Sequence, residues 1–174
     1  TSSGFWGRPP LDGQKRFLME PEDFLRLVEE TRAEALAFHS LRAVTPEQIA
    51  WVLERVPADL PIHIHVAEQT GEVDDCLAAT GKRPVEWLLG QGLLTPRWTL
   101  VHATHMTDAE AAGAARAGAT VALCPSTEGN LGDGFFNAAF LEAGGSFGIG
   151  SDSHVTPNPV EELRWFEYGR RLQA

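Results

Sequence analysis

Apolar positions along this chain follow two periods. Five short runs read as buried strands: Ala35–Phe38, Leu60–Ala67, Trp98–Ala103, Ala119–Cys124 and Ser146–Gly150. Each is short and mainly apolar, and most are bounded by Gly, Pro or Asp. Between them lie segments with helix-start chemistry. Pro21-Glu-Asp opens a helix that runs to about Ala33, with Phe24, Leu25, Leu27 and Val28 as its apolar face. Thr45-Pro-Glu-Gln48 has the residues of a capping box, so a helix follows to about Val56. Further helices are expected over 71–80, 83–89, from Thr107 to just before Gly118, over 136–143 and over 159–172.

Trp51, Trp87 and Trp98 are expected to pack helices against the sheet, and Trp165, Phe166 and Tyr168 to form the core stripe of the last helix. The first fifteen residues, with Gly4, Gly7, Pro9, Pro10 and Gly13, read as an irregular loop. Pro125 to Gly134 reads as a Gly- and Asn-rich loop that covers a substrate. One junction is anomalous. No Gly, Pro or Asn separates the first helix from Ala35, which points to residues missing between Thr31 and Ala35.

Strand, polar loop and helix thus repeat about five times, the pattern of an α/β fold with parallel strands and helical crossovers. In every unit the unusual polar residues fall at the strand's C-terminal end: His39 and Arg42, His65 and Glu68, His102, Ser126 and Glu128, and Asp152. Parallel barrels place their active sites at that face.

Composition narrows the class. A chain of 174 residues and 18.9 kDa, 43% hydrophobic and 22% charged, is expected to form one soluble globular domain. A formal net charge of −10 argues against nucleic acid or an anionic membrane as partner, yet leaves room for a small anionic substrate bound by one arginine. Cys76 and Cys124 lack zinc-type spacing, so a reducing compartment, the cytoplasm, is expected.

The strand-end residues suggest a chemistry. In a strand, residues two apart share a face, so His63 and His65 point the same way. His65, His102 and Asp152, converging from three strand ends, are suitable ligands for zinc, or for iron in a similar site. A divalent cation lowers the pKa of its water toward neutrality, and Glu68 is placed to carry the proton to a leaving group. The competing reading makes each histidine a hydrogen-bonded core residue and Asp152 an ordinary turn residue; the joint pattern is much rarer by chance than any member. His63 either completes a His-x-His ligand pair or is structural, one layer deeper. His105 suits a supporting place in the loop, and His154 lies close enough in sequence to hold Asp152 in place. Arg42 suits a carboxylate, with His39 as a second donor, against the alternative of a surface salt bridge.

The motifs His-Ile-His-Val-Ala-Glu-Gln, Leu-Val-His-Ala-Thr-His, Cys-Pro-Ser-Thr-Glu-Gly-Asn-Leu-Gly-Asp-Gly and Gly-Ile-Gly-Ser-Asp-Ser-His resemble the amidohydrolase superfamily. With Phe-His-Ser-Leu-Arg-Ala-Val and Val-Glu-Glu-Leu-Arg-Trp, the likeness narrows to the formimidoylglutamate deiminases of histidine degradation and covers nearly the whole chain. The resemblance implies hydrolysis of N-formimidoyl-L-glutamate, a small carboxylated amidine, to N-formyl-L-glutamate and ammonia, with Zn2+, or alternatively Fe2+, as cofactor, by a homodimer of the full-length enzyme. It implies His65 and Asp152 as metal ligands, Glu68 as proton shuttle, His102 as the residue orienting the attacking water, Asp152 as a second proton acceptor, and His39 and Arg42 as the carboxylate site. It also implies that residues 1–174 are the C-terminal portion of a (β/α)8 barrel, strands four to eight, without the first strands and the small β-sandwich.

The family's first strand supplies its own His-x-His pair. His63 and His65 are not that pair: a whole barrel takes about 250 residues, and the stretch from His65 to Asp152 is far too short for seven crossovers. Two alternatives stay open: a related zinc aminohydrolase acting on a purine-like ring, and a truncated chain without activity.

Overall fold

A computed structural model describes residues 12–153 and 156–173. Its five strands, β1 (Leu36–Ser40), β2 (Ile62–Val66), β3 (Trp98–His102), β4 (Thr120–Leu123) and β5 (Ser146–Ile149), lie in one sheet in chain order. The pairs β3–β4 and β4–β5 are parallel, with Leu100 opposite Val121 and Val121 opposite Phe147. Eight α-helices alternate with them among the described residues: α1 (Pro21–Thr31), α2 (Pro46–Leu53), α3 (Thr70–Thr80), α4 (Pro84–Gly90), α5 (Asp108–Arg116), α6 (Pro125–Leu131), α7 (Ala139–Glu142) and α8 (Pro159–Gln173). None of the described helices is long and apolar enough to cross a membrane. The chain divides into two compact units, residues 1–64 and 65–174, with the boundary inside β2.

The first unit is built on β1, α2 and the start of β2. Leu36, Phe38, Leu41, Val44, Ile49, Val52, Ile62 and Ile64 are its buried apolar residues among the described ones. The expected capping box at Thr45 is present: its hydroxyl accepts the Gln48 N–H and the Gln48 side chain accepts the Thr45 N–H. Helix α1 buries none of its residues, and Leu27 of the expected apolar face is 45% exposed. The anomalous junction after α1 closes without glycine. Arg32 takes the left-handed conformation (φ 51°, ψ 47°), and the Ala33 N–H caps Val28 O at 3.0 Å. The expected irregular loop at the N-terminus falls mostly outside the described residues; Asp12–Phe17 is a 3₁₀ helix.

The second unit has its core between the sheet and helices α3, α4 and α5. Val66, Val85, Leu88, Trp98, Leu100, Ala111, Val121 and Leu123 are almost wholly buried. Trp87 and Trp98 pack as expected, whereas Trp51 of the first unit is half-buried under the Arg55 guanidinium, 4.2 Å from the ring centroid.

Three expectations fail here. Residues 125–131 are a helix, not a loop. Pro125 occupies its first turn, the Glu128 carboxylate reaches back to the Cys124 N–H, and Gly132 closes the far end with φ +72°. Helix α7 is shorter than the 136–143 expected, because the Asn137 side chain ties the chain to Met106 and Asp108 before its Oδ1 accepts the Ala139 N–H. In α8, Trp165 and Tyr168 are exposed; the inward stripe is Glu162, Phe166 and Gly169. Glu162 sets that rotation, its carboxylate accepting the Ser126 N–H at 2.9 Å and hydroxyl at 2.5 Å.

Candidate functional site

The polar ends of β2, β3 and β5 meet within the second unit. One ligand atom each from His65, His102 and Asp152 lie within 4.8 Å of one another, the one such group of metal-binding side chains among the described residues. The two imidazoles stack with centroids 5.6 Å apart and planes 26° apart. Two nitrogens and one carboxylate oxygen are donors that zinc, iron and related divalent ions accept. The donor set and its spacing fit a metal.

The backbone here is bent on purpose. Ala67, His102, Ala103 and Asp152 all have positive φ (50°, 66°, 51° and 43°), a conformation that non-glycine residues seldom adopt. Two cross-strand hydrogen bonds hold the bends: the Ala103 N–H to Val66 O at 3.0 Å and the His105 N–H to Ala67 O at 2.9 Å. The turn at Ala67 ends the strand at once and so releases Glu68 from the period-2 pattern. Its Oε1 comes to 3.7 Å from His102 Nε2. The Glu68 N–H is taken by Glu72, a carboxylate buried one turn into α3.

His102 is 2% exposed, and its Nδ1 lies 3.2 Å from Glu128 Oε1. Burial pushes its pKa down, but the Glu128 hydrogen bond and the charges of Glu68, Glu128 and Asp152 outweigh it, and the net shift is upward. The same ring of carboxylates acts on Cys124. Burial first, then Glu128, Asp152, Glu162 and Glu68, push that thiol up to about 12. Asp133 joins the cluster from the end of α6. Burial and Glu68 raise its pKa against a hydrogen bond from Gln69 and the pull of His102 and His105, and its Oδ2 has no protein partner.

Of the remaining candidates, His39 and Arg42 belong to the first unit, on β1 and the turn after it; both are exposed, and His39 Nδ1 lies 3.0 Å from Ser40 Oγ. His63 shares the half-buried face of β2 with His65, two residues earlier. His105 contributes its backbone on both sides, its N–H to Ala67 and its carbonyl to the Arg83 guanidinium. His154 lies outside the described residues.

Residues 11–171 match the amidohydrolase family. The chain belongs to that family. This amidohydrolase chain is 54% identical to the formimidoylglutamate deiminase of Pseudomonas aeruginosa, over 99% of its own length and 40% of that relative. The alignment runs over 182 positions against 174 residues, so the relative carries at least eight residues with no counterpart here. The crystal structure of an amidohydrolase from Brucella melitensis superposes with a TM-score of 0.93 at 52% identity, covering 98% of this chain and 40% of that one. An adenosine deaminase from Xanthomonas campestris with bound zinc is more distant: TM-score 0.74 and 29% identity, over 85% of this chain and 37% of that one. The chain therefore spans about 40% of the length of the relatives it matches. The expected fold agrees with these findings: an α/β chain with part of the barrel of this family.

Two residues of this amidohydrolase site escaped sequence reasoning as site residues. Glu72 is the third residue of α3, the place from which an acid reaches back over the helix start, and its carboxylate takes the N–H of Glu68, one residue before the N-cap Gln69. Glu128 was visible as a strand-end polar residue, but nothing in its spacing announces a contact with His102, which lies 26 residues earlier.

Proposed function

We propose that the polypeptide carrying this sequence is a zinc-dependent deiminase, with iron as the alternative ion, that hydrolyses N-formimidoyl-L-glutamate to N-formyl-L-glutamate and ammonia. The observation that carries this reading is the gathering of His65, His102 and Asp152 beside Glu68. It occurs in a chain 54% identical to a formimidoylglutamate deiminase. His65 and Asp152 would hold the ion. When bound, zinc supplies Lewis-acid activation of water at neutral pH.

The remaining work falls to side chains. Glu68 takes a proton from the attacking water and delivers it to the imino nitrogen of the amidine. Asp152 accepts the second proton of that water as the new C=O forms and passes it to the same nitrogen as the C–N bond breaks, so that the nitrogen leaves as ammonia. His102 presents Nε2 to the reacting group and orients it. Arg42 and His39 hold the carboxylate end of the substrate, the guanidinium in a two-pronged contact. The reading places the chain in the later βα units of the barrel, in a cytoplasmic homodimer.

The second reading, a purine-type aminohydrolase, is favoured by the likeness to the zinc-bound adenosine deaminase. Ammonia release by the zinc-loaded native polypeptide, with N-formimidoyl-L-glutamate and with adenosine, separates the two. Release from the first alone is expected, and a preference for adenosine sinks the deiminase reading. Arg42→Ala is expected to raise KM about 10- to 100-fold, the worth of a charge-assisted hydrogen bond of about 1.5–3 kcal/mol, with little change in kcat. An unchanged KM removes Arg42 from the carboxylate site.

A further inference from the structure

We propose that Glu128 is a positioning residue that fixes the tautomer and the direction of His102. Strand β4 ends at Leu123, and Pro125 starts α6 one residue after the turn at Cys124. This places Glu128 in the first turns of α6, with its side chain folded back over the helix start. Its Oε1 accepts the Cys124 N–H at 3.0 Å and faces His102 Nδ1 at 3.2 Å. The same Oε1 already accepts the Cys124 N–H, so this oxygen acts as an acceptor and the geometry has His102 present Nδ1–H to it. Nε2 is then the ring atom turned toward Glu68. Both partners are almost fully buried, His102 at 2% and Glu128 at 4% exposed, so solvent does not compete for the bond.

The contact is more than a by-product of helix capping. Capping α6 requires only the bond to Cys124, and Glu162 already serves the next free N–H, at Ser126. The bond to His102 adds nothing to the helix. It completes the restraint of a residue whose backbone is already held at φ +66° by the Ala103 bond to Val66. Backbone and ring are thereby fixed independently, the arrangement expected of a partner that orients a metal-site histidine. Its effect on turnover rests on the deiminase reading; its effect on the ring does not.

The test reads the ring nitrogens of His102 by 15N NMR in the metal-free native polypeptide, where no ion influences the tautomer. Wild type should show Nδ1 protonated. Glu128→Gln keeps an oxygen in the place of Oε1 and should retain that signature. Glu128→Leu removes the acceptor and should give a mixture of tautomers, and in the zinc-loaded protein a loss of about 10- to 100-fold in kcat or metal affinity, largely restored in Glu128→Gln. A Glu128→Leu protein with the wild-type ring signature overturns the proposal, even if its Tm falls. Should Glu128→Leu fail to fold, wild type decides alone: Nε2 protonated and Nδ1 bare overturns it. A tautomer shift in a protein inactive on N-formimidoyl-L-glutamate supports the positioning role and counts against the deiminase reading. Full activity in Glu128→Leu with a shifted tautomer overturns the link between positioning and turnover.

Discussion

Strand β3 ends on His102 and β5 leads into Asp152, two members of the candidate metal-binding group, yet the two strands are built differently. Trp98 and Leu100 of β3 are buried to 1% and 0%, and His102 at its end is enclosed by Glu68 and Glu128. Strand β5 is an outer strand of the sheet, exposed along most of its length, and Asp152 beyond it is exposed too. One side of the site is therefore rigid through burial and hydrogen bonding, while the other is held by strand pairing with β4 and a bent backbone. Precision at a reacting centre needs a supporting shell. Within this unit that shell surrounds His102 and Glu68, not Asp152.

The largest effect that tests this contrast is at Glu68. Glu68→Gln is expected to lower kcat of the zinc-loaded native polypeptide by about 10²- to 10⁴-fold, the usual worth of a general acid–base group, with the metal retained. Metal content by elemental analysis and the ammonia assay report the two halves. Metal loss in this variant would make Glu68 a ligand, and retained activity would end its role as shuttle.

The next test concerns the strands themselves. Leu100→Ala on β3 should cost about 2–5 kcal/mol of stability, the range for a fully buried leucine. Phe147→Ala on β5 should cost about 1–2 kcal/mol, since the ring is 39% exposed and mainly meets Phe166 at 5.4 Å. Urea unfolding of both variants measures the difference. Equal costs would mean that β5 is as firmly seated as β3, and the contrast would fail.

The contrast also explains what could be read in advance. The strands were legible because their apolar runs are short and bounded, and Thr45 and Thr107 announce their helices by capping boxes that form as expected. The gathering of His65, His102 and Asp152 was legible because period 2 and strand ends leave few places for these residues. Supporting groups were not. The rotation of α8 follows from Glu162, a buried acid that looks like a surface residue in sequence, so Trp165 and Tyr168 were misplaced. Helix α6 was hidden by its Gly and Asn content, because its stability comes from Glu128 and Glu162 at its start rather than from helix propensity. The left-handed Arg32 hid the α1–β1 turn, which is usually marked by glycine.

The smallest effect sharpens the electrostatic side of the contrast. Asp133 is 9% exposed, and burial together with Glu68 raises its pKa in the fold above the unfolded value. A carboxyl with a raised folded pKa favours the fold fully below its unfolded pKa, about 3.9, and loses that contribution as pH rises through the folded value. At neutral pH its charge therefore opposes folding. Asp133→Asn removes the charge and keeps an oxygen and an amide for Gln69. In the metal-free protein it should be more stable than wild type at pH 7.5, with the advantage shrinking toward pH 4. Urea midpoints of the pair at both pH values measure it. An advantage independent of pH would mean that packing, not charge, is responsible, and a variant less stable at pH 7.5 would mean that the ionised carboxylate is well solvated. Either result would remove the enclosed electrostatic environment claimed for the His102 side of the site.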